Sequence, residues 1–399
     1  MGYKTTLCDV SLDGGHYGIA APAVDFKPGL PAYLRITDIN DDGTLNPSDR
    51  KSVDDSSAGN YLLHEGDIVF ARTGNSTGRN YYYDPRDGEY AYAGFLIKFS
   101  LDPRKINPRY MKYYAQSKQY WDWVSSFNTG STRGNINAKT YASMPIDLLS
   151  RQIQDGIVAI CDAIDDKIRI NRQLNDYLLE LISSVFAHRF SSNVNTTDLK
   201  NVLSISTKAL KPQEHASEIW EHYSIPAFDE KHRPIFEPAS EIKSNKYQID
   251  NECILISKLN PSTKRIWMPY CSSNNAVCST EFIVYRPYLK EYKSFYYAAI
   301  DSPGFTDYLL EHVSGSTGSR QRAQPKDTLH YLMPNPSNEE IKNFCTFADP
   351  IYRHVQINEQ QTAKLELLRD TLLPKLMSGE IDVSKVDLTQ LTNNHLADY

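Results

Sequence analysis

Cysteine is scarce in this 399-residue chain. Cys8, Cys161, Cys253, Cys271, Cys278 and Cys345 form no C-x-x-C pair, and no histidine stands near them at a zinc-ligand spacing. Neither a zinc site nor a disulfide framework is expected, only buried free thiols. Long hydrophobic runs are missing too: nothing approaches the ~20 residues that span a bilayer. The first residues lack a signal-peptide core, so a cytoplasmic protein without membrane association is expected. Met1-Gly2-Tyr3-Lys4-Thr5-Thr6 fits a myristoylation pattern too short to carry weight. There is no excess of positive charge. Lys and Arg number 43 against 49 Asp and Glu, a formal charge of −6, which argues against a protein that coats nucleic acid indiscriminately. Local basic surfaces remain compatible with that total.

Enzyme signatures are absent as well. There is no G-x-x-x-x-G-K-[ST] to cradle phosphates, no G-x-G-x-x-G after a strand, no H-E-x-x-H and no G-x-S-x-G. Asn260-Pro261-Ser262 does not complete the Asn/Asp-Pro-Pro-aromatic motif of amino-methyltransferases. Asp165-Asp166-Lys167 has the carboxylate-x-Lys ending of a nuclease metal site, but it lies in a helical pattern and reads as a solvated charged face. His215 and His222 are seven apart with no evident carboxylate partner. No catalytic residue, metal site or cofactor is expected.

What is present is a globular composition, 40% hydrophobic and 23% charged, long enough for two or three domains. The 27 tyrosines suggest binding surfaces, since tyrosine joins an apolar body to a polar tip. Above all, the chain repeats. Gly130-Ser131-Thr132 recurs as Gly315-Ser316-Thr317, Met144-Pro145 as Met333-Pro334, and Ile170-Asn171-Arg172-Gln173 as Ile357-Asn358-Glu359-Gln360. The run Asp67–Arg72 lies opposite Glu252–Ser257. Four matches in one order, at offsets of 185 to 189, indicate two copies of a unit near 187 residues.

Each half opens with a strand- and loop-rich region. Buried strands are expected at residues 65–72 and 253–257, further strands at 92–99 and 281–285, and short helices at 108–123 and 294–312. Each half then ends in a long helical pattern. The first seam runs Ile153, Ile157, Ile160, Ile164, Ile168, Leu174, Leu178, Leu181 and Val185, with an irregularity after Ile168. The second runs Ile341, Phe344, Ala348, Ile351, Val355, Asn358, Leu365, Leu368 and Leu372, and Pro350 is expected to kink or delay it. The two helices are expected to pack on each other, with Asn171 and Asn358 either exposed beside the seam or buried as register-fixing amides. The fold class is therefore α+β: two mixed α/β domains joined by two long antiparallel helices forming a coiled coil, with a pseudo-twofold internal repeat. The expected boundaries are a first domain at 1–149, a spacer helix at 150–190, a second domain at 191–336, a C-terminal spacer helix at 337–378 and a tail at 379–399.

Two loops in each half have the chemistry to bind DNA. Arg72, Thr73, Asn75, Thr77 and Arg79 follow a strand, and Lys258, Asn260, Lys264 and Arg265 occupy the matching place with no acid among them. Ser131, Thr132, Arg133 and Asn135 are matched by Ser316, Thr317, Arg320, Gln321 and Arg322. Glycines let backbone N–H groups approach phosphate, hydroxyls add neutral donors, and Arg, Gln or Asn reach base edges bidentately. Residues 104–114 add four cations interleaved with tyrosines. Two such heads on paired helices suggest a ruler for a DNA target in two specified parts separated by unspecified base pairs.

In this order the chain resembles the specificity (S) subunit of type I restriction–modification systems. The resemblance rests on Leu34-Arg35-Ile36-Thr37-Asp38-Ile39, Gly66-Asp67-Ile68-Val69, Gly134-Asn135-Ile136 leading to Met144-Pro145-Ile146, and Ser224–Glu230. Ile256–Pro261 and Leu373-Pro374-Lys375-Leu376-Met377-Ser378-Gly379-Glu380-Ile381 complete it. The resemblance implies a noncatalytic subunit whose two target-recognition domains each read one part of double-stranded DNA. It implies helices that set the spacing and dock two methyltransferase subunits, and restriction subunits that join the complex. S-adenosylmethionine, ATP and Mg²⁺ would belong to those partners. The other reading is a duplicated nuclease or methyltransferase with an unrecognised active site. Matching Ser257 to Arg72, and Leu259 and Pro261 to Gly74 and Ser76, predicts different contacts in the two halves.

Overall fold

The two Gly- and Pro-poor stretches become the helices Arg151–Phe190 and Asn338–Ser378, of 40 and 41 residues. The structure is a computed structural model that describes residues 3–46, 49–127, 134–192, 195–314 and 321–386. Ser337 starts the second long helix with a capping box: its Oγ accepts from the Glu340 N–H at 3.3 Å, and its own N–H donates to Glu340 Oε2 at 2.8 Å. Pro350 does not delay this helix, which begins well before it and continues beyond. Buried Ala348 and Tyr352 on either side secure the turn whose backbone donor proline lacks.

The chain divides into two compact units, one formed by residues 1–168 with 364–399 and the other by 169–363. In the first, the strands His16–Tyr17, Leu96–Ser100, Asp67–Ala71 and Asn80–Tyr82 make an antiparallel sheet in that order. A second sheet runs Ala23–Asp25, Lys51–Val53, Ala32–Leu34, Tyr90–Tyr92, the last pair parallel. The stretch read as one strand over 92–99 is thus two strands in different sheets, separated by a turn at 93–95. Helices Pro108–Tyr114 and Lys118–Ser125 cover the first sheet's apolar face, and the ribbon Tyr3–Thr6 with Pro145–Leu148 leads into the first long helix. Ile157, Ile160, Ile164 and Ile168 then pack with Leu365, Leu373 and Leu376 of the second. Ile381, Val383 and Val386 join the same core, and a Cβ at Gly156 would stand 2.8 Å from Val383 Cγ2. Glycine is what lets that segment lie against the helix.

The second unit repeats the plan. Leu203–Ser206, Phe282–Pro287, Ile254–Ser257 and Ile266–Trp267 form a sheet in the corresponding order. Its second sheet departs: Ala209–Leu210, Lys246–Gln248, Ala276–Ser279, Ile219–Tyr223, Ile235–Pro238, with an extra edge strand and the parallel pair one place further in. The ribbon Thr196–Asp198 with Leu332–Pro334 again uses the Met-Pro repeat, Met144 and Met333 both being buried.

Within this unit the long helices run antiparallel. Asn171 faces Gln361, Asn175 faces Asn358, and Phe186 faces Phe344, so one set of numbers rises as the other falls. The seam differs from the apolar reading. Leu174 and Leu181 are 37% and 46% exposed, whereas the buried face continues through Asn171, Asn175, Leu179, Ile182, Phe186 and Phe190. Steps of three and four persist throughout, so the irregularity vanishes once two asparagines are admitted to the seam. Asn171 and Asn358 are 1% and 5% exposed. Asn171 Nδ2 donates to Gln361 Oε1 at 2.8 Å, and Asn358 Nδ2 to Asn175 Oδ1 at 2.8 Å. They are interior amides, each satisfied by the opposite helix rather than by one another.

The tyrosines serve the core more than the surface; more than half of the 27 are buried. Their hydroxyls reach backbone carbonyls: Tyr33 donates to Ile19 O at 2.9 Å and Tyr114 to Pro145 O at 2.8 Å. Loop-rich domains leave such carbonyls unpaired inside, and a phenol is the apolar residue that satisfies them. All six cysteines are free thiols; Cys8 is exposed, Cys271 half-buried and the other four buried. No helix among the described residues is long and apolar enough to cross a membrane.

Candidate nucleic-acid interface

The two loops singled out in the first half meet. Leaving the strand Asp67–Ala71, Arg72 donates its N–H to Phe95 O at 3.1 Å and accepts from the Ile136 N–H at 2.9 Å, while Thr73 bridges to Asn135. Gly74 takes φ +74°, and Thr77 Oγ1 donates to Gly74 O at 2.8 Å and Gly134 O at 2.9 Å. Tyr141 beneath donates to Ala71 O at 2.9 Å; burial pushes its phenol up, so it remains a neutral donor. Asn75 and Asn135 are left exposed beside the half-buried Arg72.

The second unit builds the same junction. Lys258 donates its N–H to Glu281 O at 2.8 Å and accepts from the Ala323 N–H at 2.9 Å; Leu259 bridges to Arg322, and the Asn260 N–H donates to Gln321 O at 3.0 Å. Asn260 stands at φ +49° where Gly74 stood. The Thr263 N–H bonds Asn260 O as the Thr77 N–H bonds Gly74 O. Lys258, not Ser257, is therefore the counterpart of Arg72, and Leu259 that of Thr73. The matching read from apolar pattern alone was one residue out, because a run of buried strand residues does not fix register.

The electrostatics separate the cations. Arg79 Nε lies 2.6 Å from Asp41 Oδ1, and its counterpart Arg265 lies 2.6 Å from Asp229 Oδ1. Lys264 Nζ sits 2.6 Å from Asp301, whose carboxyl burial pushes up despite that lysine. Arg322 Nε lies 3.1 Å from Glu281. The loop from Lys258 to Arg265 has no acid of its own, but the fold brings Asp229 and Asp301 to it from distant segments, and Glu281 to Arg322 beside it. Arg72 and Lys258 make no ion pair among the described residues. The Arg72 guanidinium lies 5.0 Å from the centroid of the Tyr17 ring, and its Nε is buried with no hydrogen-bond partner there. Ser131, Thr132, Arg133, Ser316, Thr317 and Arg320 lie outside the described residues.

The charges of other segments are paired within the fold. In the 104–114 stretch, Arg104 pairs with Asp102 at 2.8 Å, Lys105 Nζ donates to Asp9 O at 2.8 Å, Arg109 pairs with Asp162 at 2.5 Å, and Lys112 with Asp165 at 2.5 Å. Its tyrosines Tyr110, Tyr113 and Tyr114 are buried. Asp165 is not on a solvated face: Arg369 meets it at 3.0 Å from the other side. Burial alone would raise its carboxyl, but Lys112 and Arg369 overcome that and hold it below the usual range. His215 and His222 do have carboxylate partners, Glu218 at 2.9 Å and Glu237 at 2.6 Å. Burial lowers the His222 pKa. No group of three metal-ligating side chains occurs among the described residues.

Two residues that the sequence reading passed over stand at the first junction: Tyr17, beneath Arg72, and Phe95, whose carbonyl holds the Arg72 N–H. The Gly94-Phe95 pair interrupting an apolar run was the available signal for a turn.

Comparison with known proteins agrees with this plan. Residues 33–180 match the model of the type I restriction modification DNA specificity domain. The type I restriction enzyme MjaIX specificity subunit of Methanocaldococcus jannaschii is 19% identical over 307 residues, 69% of this chain and 70% of that one. The crystal structure of a type I restriction-modification system S subunit from M. genitalium superposes with a TM-score of 0.56 at 16% identity, over 94% of this chain and 96% of the other.

Proposed function

We propose that this chain is a specificity subunit of a type I restriction–modification system, a noncatalytic DNA-recognising member of such a complex, and that its two units each read one part of a bipartite double-stranded target. The observation that carries this reading is the doubled loop junction. One backbone arrangement occurs twice, presenting Arg72, Asn75 and Asn135 in the first unit and Lys258 and Gln321 in the second, with Arg322 paired to Glu281 beside them. A constant frame with different side chains is what reading two different base sequences requires. Arg79 and Arg265, held to an aspartate at the same place in both copies, secure the loops.

Residues 1–149 and 191–336 act as the recognition domains, the helical segments 150–190 and 337–378 as spacers, and 379–399 as a tail, in a cytoplasmic complex. A 40-residue helix is about 60 Å long, longer than the ~34–36 Å turn of B-DNA, which is the right scale for two half-sites with unspecified pairs between them. The exposed Ile170, Leu174, Tyr177 and Leu181 form a second apolar stripe at steps of four, three and four. That stripe suits docking of a methyltransferase subunit; two methyltransferase subunits, with restriction subunits beyond them, would complete the assembly. The test is selection of bound sequences from a random duplex library by the complex with its methyltransferase subunit. A two-part motif is expected, and exchange of residues 1–150 for another recognition domain should change one part only. A change in both parts, or methylation by this chain alone, would overturn the reading.

A further inference from the structure

The turn at 93–95, where the chain leaves one sheet of the first unit for the other, holds an apolar ring at the recognition junction. Phe95 is 59% exposed, and its own carbonyl accepts the Arg72 N–H at 3.1 Å. Tyr17, 41% exposed, lies under the Arg72 guanidinium and is itself held by the Ala138 N–H, which donates to its hydroxyl at 3.1 Å. A single exposed phenylalanine is unremarkable on most surfaces. This one is fixed. The Gly94 N–H donates to Ile19 O at 2.8 Å, the Leu96 N–H to Ala93 O at 2.8 Å, and the Gly18 N–H to Leu96 O at 3.2 Å. A Cβ on Gly18 would stand 2.2 Å from Tyr92 O, so the two segments meet at a distance only glycine allows. The ring therefore stands on a backbone braced on both sides, and presenting it to solvent adds nothing to the core.

The other unit supplies the second observation. The residue whose carbonyl accepts the Lys258 N–H is Glu281. One backbone position, whose carbonyl holds the N–H of the cation leading the loop, thus carries an apolar ring in the first unit and, in the second, a carboxylate that pairs with Arg322 at 3.1 Å. A position that keeps its frame and changes chemistry between copies is where the copies differ in what they recognise.

We propose that Phe95 is a specificity-determining residue that reads the C5-methyl group of a thymine, next to the base or phosphate engaged by Arg72. A thymine methyl is the apolar feature of the major-groove edge, and phenylalanine is among the side chains that contact it. The inference rests on the DNA-reading function above. The experiment keeps the two separable by using the complex with its methyltransferase subunit on the duplex found by selection, with uracil replacing each thymine in turn. One replacement, in the half-site assigned to the first unit by domain exchange, should weaken binding about tenfold, the worth of a missing methyl in an apolar contact. F95A should bind the thymine and uracil duplexes equally, F95L should keep part of the preference, and the other half-site should be unaffected by either. If the native complex selects its target but F95A leaves thymine–uracil discrimination intact, or weakens both duplexes by the same factor, the Phe95 assignment is overturned while the function stands. If the native complex shows no sequence preference on any duplex, the function itself fails.

Discussion

The two units fasten their strand-rich domains to the long helices by different chemistry. In the first, Arg86, Arg109 and Lys112 reach Asp166, Asp162 and Asp165 on the helix at 2.5 to 2.7 Å, and Tyr113 donates to Asp162 at 2.5 Å. In the second, rings do the fastening: Phe186, Phe190, Phe295 and Phe344 lie with centroids 5.2 to 5.8 Å apart, and Tyr297 meets Tyr352 at 5.2 Å. Ser294, hydrogen-bonded to Asp349, adds a polar contact there. Two copies of one fold have kept the frame and exchanged the joint. Stability in this family of shapes therefore belongs to backbone plan and burial, and the charges or rings at a joint are replaceable as sets but not singly.

That contrast can be broken from either side. Phe344→Ala should cost the second unit about 4 kcal/mol through lost burial and the cavity left among the three remaining rings. Hydrogen exchange should show the loss confined to that unit and unchanged by salt. Asp165→Asn should cost the first unit about 3 kcal/mol, because Lys112 and Arg369 lose a shared, largely buried counter-charge. Here the sign with pH follows from the lowered carboxyl: the native chain has this stabilisation in full above its usual pKa of 3.8, and loses it as pH falls through the folded value. The variant should lack that acid step, and equal acid profiles for the two chains would refute the role. The smallest effect is Asn171→Leu. It should raise thermal stability by about 1 kcal/mol while producing mixed registers or oligomers on size-exclusion light scattering, since a buried amide specifies pairing at some cost in stability. An unchanged single species with no gain in stability would leave Asn171 without a register role.

Duplication and the pairing of the two long helices were legible because they rest on local identity: Gly-Ser-Thr, Met-Pro and Ile-Asn recur whole. The meeting of the two loops in each half was not, since their backbone bonds join segments about sixty residues apart. Nor was register. The offset at the junction follows from Gly74 and Asn260 sharing a left-handed backbone, a property of conformation that residue type only hints at. The seam was misread where Asn171 and Asn175 occupy it, because a pattern built on apolar residues skips satisfied amides. The acids that neutralise Arg79, Arg265, Lys264 and Arg322 come from segments such as Asp41 and Asp229, tens of residues away in the chain, and no window around the loop contains them. Phe95 disappeared into a run that looked like one strand.

The first unit is interrupted: its helix packing needs Leu365, Leu373 and Leu376, yet all of residues 169–363 belong to the other unit. Synthesis proceeds from the amino terminus, so this order has a temporal meaning. On the ribosome, the second unit has every part it needs before the first does. The apolar face of Ile157, Ile160, Ile164 and Ile168 receives its native cover only when the last stretch of helix emerges, followed by Val383 against Gly156. The module made first is the one finished last, and a truncated chain would carry a complete second unit with an open first one.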